Sequence, residues 1–225
     1  MKRFLLPVIT LSLISCSTGF DRGALRAQLA PREPQINDSQ VQMERKLQPQ
    51  VRAPFKMAIA LQLPGAYRQN WRWNSEDREL VEKWGLDLQR RGKLSDFFIM
   101  NEMFLEGDST AALRRAAARH GADAVLMVSA ASEVDNYLNP SSLLYFTIVG
   151  AFIAPGSHKD ALFMIEGELV DVNNGYLYAA AQSEGEYSTV RPAYFSEDKD
   201  ALAPAKKEAL MAFGEEISNR ITRSF

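Results

Sequence analysis

Residues 55–64 read FKMAIALQLP, and the interpretation of this run decides the fold. It is almost continuously apolar, as expected of a strand covered on both faces inside a sheet. Pro64-Gly65 ends it. Downstream, NSEDRELVEKWGLDLQRRG (74–92) places Leu80, Val81, Trp84 and Leu88 at helical spacing. Asn74 or Ser75 can cap this helix, acidic residues fill its first turn, and Gly92 stops it. LSDFFIM (94–100) is a second short strand. DSTAALRRAAARHG (108–121) is a second helix, capped by Asp108 or Ser109 and closed by Gly121. ADAVLMVSA (122–130) is a third strand. Strand, helix, strand, helix, strand is a pattern of parallel crossovers with helices packed on a sheet.

The pattern then changes. ALFMIEGELVDV (161–172) and YLYAAAQSEGEY (176–187) flank Asn173-Asn174-Gly175, and Asn-Gly between two strand-like runs predicts a β-hairpin. The final segment, DALAPAKKEALMAFGEEISNRITRSF, carries Leu210, Phe213, Ile217 and Ile221 as one apolar stripe. It reads as an amphipathic helix docking on the sheet. The expected fold class is α/β: a mixed sheet with an initial β-α-β-α-β run, then a β-hairpin and a C-terminal amphipathic helix.

The residues before this domain concern location. The chain opens MKRFLLPVITLSLISCS: Lys2 and Arg3 precede an apolar run, Phe4 to Leu13, too short to span a bilayer and of signal-peptide length. Leu13-Ile14-Ser15-Cys16 resembles the lipobox of bacterial lipoproteins. Ser15 fits a peptidase that takes small residues. The Cys16 thiol would take a diacylglyceryl group and become the new N-terminus. Two or three acyl chains anchor stably where one does not. Cys16 is the only cysteine among 225 residues, which leaves none for a disulfide. Ser17, where an Asp would favour inner-membrane retention, leans toward the outer membrane and a periplasm-facing domain. The expected boundaries are residues 1–15 as leader, 16–53 as lipidated cysteine and flexible tether, and 54–225 as a single α/β domain. Rich in Gln, Pro, Arg and Ala, the tether has too little apolar periodicity to offset its ordering entropy, although a short helix near Gln40 to Leu47 is compatible with its sequence.

With Lys2 and Arg3 removed, basic side chains fall from 26 to 24 against 28 acidic ones, about −4 net. Such a balance supplies no electrostatic reason to expect nucleic acid. No metal-ligand spacing, phosphate-binding glycine loop or nucleophile motif is present, so neither a metal nor a cofactor is expected, and the chain reads as non-catalytic. His120 suits a helix C-terminus. His158, in GSHKD, does not make a triad with its own chain neighbours. Glu166 and Glu168 share a strand face, most simply a solvated one.

SLLYFTIVGAFIAPGS (142–157) has no charged side chain. As a helix, Leu143 to Ala154 would cover about 18 Å, short of a hydrocarbon core of about 30 Å. It is either a buried connector or an exposed apolar loop meeting lipid or a partner. The contact residues expected on the second reading are Leu143, Leu144, Tyr145, Phe146, Ile148 and Phe152. Trp71 and Trp73, flanking Arg72 in QNWRWNSED, either cover the first helix, the plainer account, or form a second contact surface.

SLLYFTIVGAFIAPGSHKD (142–160), followed by an apolar strand and ELVDVNNGYLYAAA (168–181), resembles the rhombotarget lipoproteins. The resemblance implies a lipobox ahead of an α/β domain and an association with rhombosortase, a rhomboid-type intramembrane protease. Targets of that protease typically end in a glycine-rich motif, an apolar helix and basic residues; EEISNRITRSF departs from that pattern, so direct processing is not implied. The order of elements is also similar to the curli secretion lipoprotein and to lipoprotein activators of penicillin-binding proteins, at the level of fold. The expected partners are the membrane, through the N-terminal lipid, and an unidentified envelope protein. The alternative is a self-assembling export or pore component, which makes the chain an oligomer.

Overall fold

The computed structural model describes residues 19–29, 37–62, 71–101, 109–139, 141, 144, 155–192 and 197–225. Its sheet is built from β1 (Phe55–Leu61), β2 (Leu94–Ile99), β3 (Ala124–Leu138), β4 (Ser157–Asp171) and β5 (Leu177–Arg191). The helices are α1 (Arg22–Leu29), α2 (Asp38–Glu44), α3 (Ser75–Arg90), α4 (Thr110–Arg119) and α5 (Asp198–Ser224). Spatial order in the sheet is β2-β1-β3-β4-β5. The first three strands are mutually parallel; β4 and β5 are added antiparallel. The expected mixed sheet is therefore the one observed.

Local signals act as their chemistry dictates. Asn74 caps α3 in a reciprocal capping box with Asp77, and Ser109 caps α4 by accepting from the Ala112 N–H. The two helices run out at Gly92 and Gly121, both with φ near +70°. At the β4–β5 turn the buried Asp171 carboxylate accepts from the Asn173 N–H at 2.8 Å and from the Tyr178 hydroxyl at 2.8 Å. Tyr178 in turn accepts from the Gln50 and Val51 N–H groups, at 2.9 and 2.8 Å, which pins the entry to β1 against this end of the sheet. Burial, more than any other cause, raises the Tyr178 phenol above its ordinary range.

Helices pack on both faces of the sheet, one fully and the other in part. On one, Phe55, Met57, Ile59, Leu126, Phe163 and Ile165 meet Val81 and Leu88 of α3 and Leu210, Phe213, Ile217 and Ile221 of α5. Where α5 crosses β5 the two backbones nearly touch: a Cβ on Gly185 would lie 2.3 Å from the Ala205 carbonyl oxygen. On the other face two separate patches are covered. Ala58, Ala60, Val125 and Met127 lie under Leu113, Ala116 and Ala117 of α4. Further along, Ala131, Leu162 and Met164 lie under Leu25 and Leu29 of α1, with Phe20 beside them.

That last contact corrects the reading of residues 16–53 as one flexible tether. Residues 19–29 are docked on the domain, although the segment is poor in apolar residues, because Leu25 and Leu29 sit one helical turn apart and find an apolar floor made by distant strands. With only Leu25 and Leu29 buried, in a cluster apart from the main core, α1 is held more weakly than α3, α4 and α5.

Candidate functional site

Strands β3 and β4 form a long antiparallel hairpin whose open end, at Leu138 and Ser157, flanks the uncharged stretch in sequence. Fifteen residues per strand correspond to about 50 Å. Pairing continues without interruption to Leu138 opposite Ser157. The base of the connection is clasped. The Asn139 N–H donates to the Gly156 carbonyl at 2.9 Å, and its side-chain amide donates to the Pro155 carbonyl at 2.9 Å. The Asn139 Oδ1 accepts from both the N–H and the hydroxyl of Ser141, at 3.0 and 2.6 Å. With Oδ1 so committed, the Asn139 amide faces His158 Nε2 at 3.0 Å as a donor.

His158 lies face to face with Tyr137, ring centroids 5.0 Å apart. The Tyr137 hydroxyl donates to Asp160 at 3.0 Å. Desolvation, the bond to Asp160 and the charges of Asp160 and Asp135 all raise the Tyr137 phenol, so it stays a donor at neutral pH. Among the described residues the imidazole nitrogen thus meets an amide and its ring a phenol, the contacts of a structural clasp. Around this end Leu138 is 54% and Leu144 56% exposed, and Val190, beside His158 in register, is 43% exposed. Leu143, Tyr145, Phe146, Ile148, Phe152 and Cys16 lie outside the described residues.

Trp71 and Trp73 pack inward, the plainer of their two readings, and do not form the second contact patch. Each is only 6% exposed. Trp71 stands edge-on to Phe163 at 4.8 Å and to Trp73 at 5.0 Å. The Trp73 indole N–H donates to the Gln62 carbonyl at 2.8 Å, which removes the polar reason to face water. Beneath them Lys206 of α5 makes a buried ion pair with Asp77 of α3 at 2.6 Å and donates to the Arg72 carbonyl at 3.0 Å.

The sheet face carrying α1 is acidic outside its apolar floor. Glu133, Glu166, Glu168, Glu184 and Glu186 all point to it by register. Glu166 is half-buried and its carboxyl is raised above the ordinary range, first by desolvation and then by the Glu168 charge. Arg22 of α1 bridges Glu184 and Glu186, and the Asp21 N–H donates to Glu133 at 3.2 Å. None of these α1 contacts was anticipated; the only sequence signal was a pair of leucines four apart behind an arginine. His120 caps α4, as its position suggests, with Nδ1 3.0 Å from the Ala116 carbonyl. Among the described residues no helix is long and apolar enough to cross a membrane.

No family model matches the sequence, and no curated protein matches it. Solved structures do. The PelC dodecamer from Paraburkholderia phytofirmans is similar at 12% identity over 77% of this chain and 93% of its own, TM-score 0.34. The LpoB C-terminal domain from Salmonella enterica follows at 15% identity over 60% of this chain and 84% of its own, TM-score 0.32. A lipoprotein from Neisseria meningitidis is similar at 12% identity over 76% and 99%, TM-score 0.31. Likenesses this low carry no conclusion about function.

Proposed function

We propose that this chain is a non-catalytic, lipid-anchored protein of the bacterial envelope, most simply of the outer membrane, whose domain faces the periplasm as an interaction module. The observation that carries the reading is Cys16, a lone cysteine placed behind Leu13-Ile14-Ser15 and a basic-then-apolar leader. The contact surface is the hairpin end, where Leu138 and Leu144 are exposed beside the uncharged stretch. Its partner is an envelope protein, and the rhombosortase-associated context belongs to this reading through the resemblance of residues 142–160.

The test is made in cells that process lipoproteins. Mass spectrometry of the mature chain is expected to find Cys16 N-terminal and acylated, and Cys16→Ala to leave the membrane fraction. Crosslinking is expected to capture a defined partner and to lose it on Phe146→Asp or Ile148→Asp in a folded chain. An unmodified thiol sinks the anchor. Recovery of monomer alone, indifferent to both substitutions, sinks the interaction module. A large ring on sizing after detergent extraction would replace it with self-assembly.

A further inference from the structure

Helix α1 and the entry to β1 attach the N-terminal segment to the domain at two widely separated places. Arg22, Asp21 and Leu25 hold α1 at the level of Glu133, Leu162 and Glu186, five residues short of Leu138 at the hairpin end. Gln48, Gln50 and Val51 are held at the opposite end, where Asn174 donates to the Gln48 carbonyl at 2.8 Å and the Tyr178 hydroxyl accepts from Gln50 and Val51. Along β4, Leu162 and Asp171 are nine residues apart, about 30 Å. We propose that α1 is a detachable strap that decides which end of the domain faces the lipid, an inference that rests on the acylated Cys16 of the proposed function.

Chain length makes the two states distinct. From Cys16 to Asp21 the backbone spans at most about 17 Å. With α1 docked, the lipid therefore holds the half of the sheet that carries the hairpin end, and Leu138 and Ser157 are kept near the bilayer. With α1 released, the first fixed point is Gln48 at the β4–β5 turn, reached through a chain whose root-mean-square span is on the order of 30 Å. The hairpin end then points away from the anchoring leaflet and reaches outward.

The attachment is built to come off. Only Leu25 and Leu29 of α1 are fully buried, in a cluster separate from the two that hold the sheet to α3, α4 and α5. Its ion pairs are half-exposed: Arg22 is 39% and Glu186 53% accessible, so salt or a competing cation screens them. Removing α1 leaves a floor of Ala131, Leu162 and Met164 rimmed by three glutamates, which readmits the same helix.

The experiment places a fluorophore on the full lipidated chain in phospholipid vesicles, at Asn136→Cys near the hairpin end or at Asn173→Cys at the opposite turn, both exposed positions. Energy transfer to a lipid-borne acceptor is read at each. The unsubstituted strap should give the greater transfer at position 136. Leu25→Asp should invert that ratio. Arg22→Glu should shift it the same way, and adding Glu184→Lys with Glu186→Lys should restore it. Near-ultraviolet circular dichroism confirms that the domain stays folded; if Leu25→Asp unfolds, Arg22→Glu and its rescue decide. A ratio unchanged by both variants overturns the strap. A chain whose Cys16 is unmodified and that leaves the vesicles instead refutes the anchor, which mass spectrometry reads separately, and the strap's role falls with it.

Discussion

At the scale of single residues, the ion pair between Lys206 and Asp77 is the most exposed to disruption, because both members are nearly inaccessible to water, at 8% and 5%. Removing one charge strands the other in the interior. Lys206→Met is expected to cost about 3–5 kcal/mol in denaturant titration. Replacing both members with apolar residues should return most of that loss. Glu166 makes the opposite argument. Its carboxyl is raised in the folded state, so the fold holds its proton more tightly than the unfolded chain does. Its ionisation therefore subtracts stability as pH climbs through and above the ordinary carboxylate range. Glu166→Gln should raise the melting temperature at pH 7, and the gain should vanish below about pH 4, where the carboxyl is protonated in both states. The tryptophans show what a residue-level reading leaves open. Alternation in QNWRWNSED puts Trp71 and Trp73 on one side and Arg72 on the other, but nothing local says which side is wet; Phe163, ninety residues on, decides it.

At the scale of elements, the approach of α5 to β5 is set by the missing side chain at Gly185. A Cβ there meets the Ala205 carbonyl oxygen at 2.3 Å and the Ala209 nitrogen at 2.6 Å, and both are backbone atoms that cannot rotate aside. Gly185→Val is expected to cost about 1–3 kcal/mol or more in thermal unfolding, through displacement of the helix. Most elements were legible: periodicity, caps and the Asn-Gly turn located β1, α3, β2, α4, the β4–β5 hairpin and α5. Strand β3 was read as ending at Ala130 yet continues to Leu138. Its last residues, SEVDNYL, are mixed in polarity because only Val134 among them reaches the main core, and pairing with β4 keeps them extended. Helix α1 was invisible for a related reason. Eight residues are too few to be helical by themselves, and their support comes from strands more than one hundred positions away.

At the scale of the whole molecule, the mixed sheet was legible as a class, whereas the unequal cover of its two faces was not. One face is filled by α3 and α5; the other is divided between α4 and a weakly held α1. Among the described residues this packing begins at Phe20, so on the proposed reading Cys16→Ala is expected to change fractionation while leaving the melting temperature of the domain unaltered. There is also a matter of timing. Leu210, Phe213, Ile217 and Ile221, which complete the core around β1, come from the last 27-residue helix. An unfinished chain exposes β1, β3 and β4 with that face bare until α5 has been made. Folding of this face must then wait for residues 198–224, and until they are available the unfinished sheet presents the apolar surface that holdase chaperones recognise.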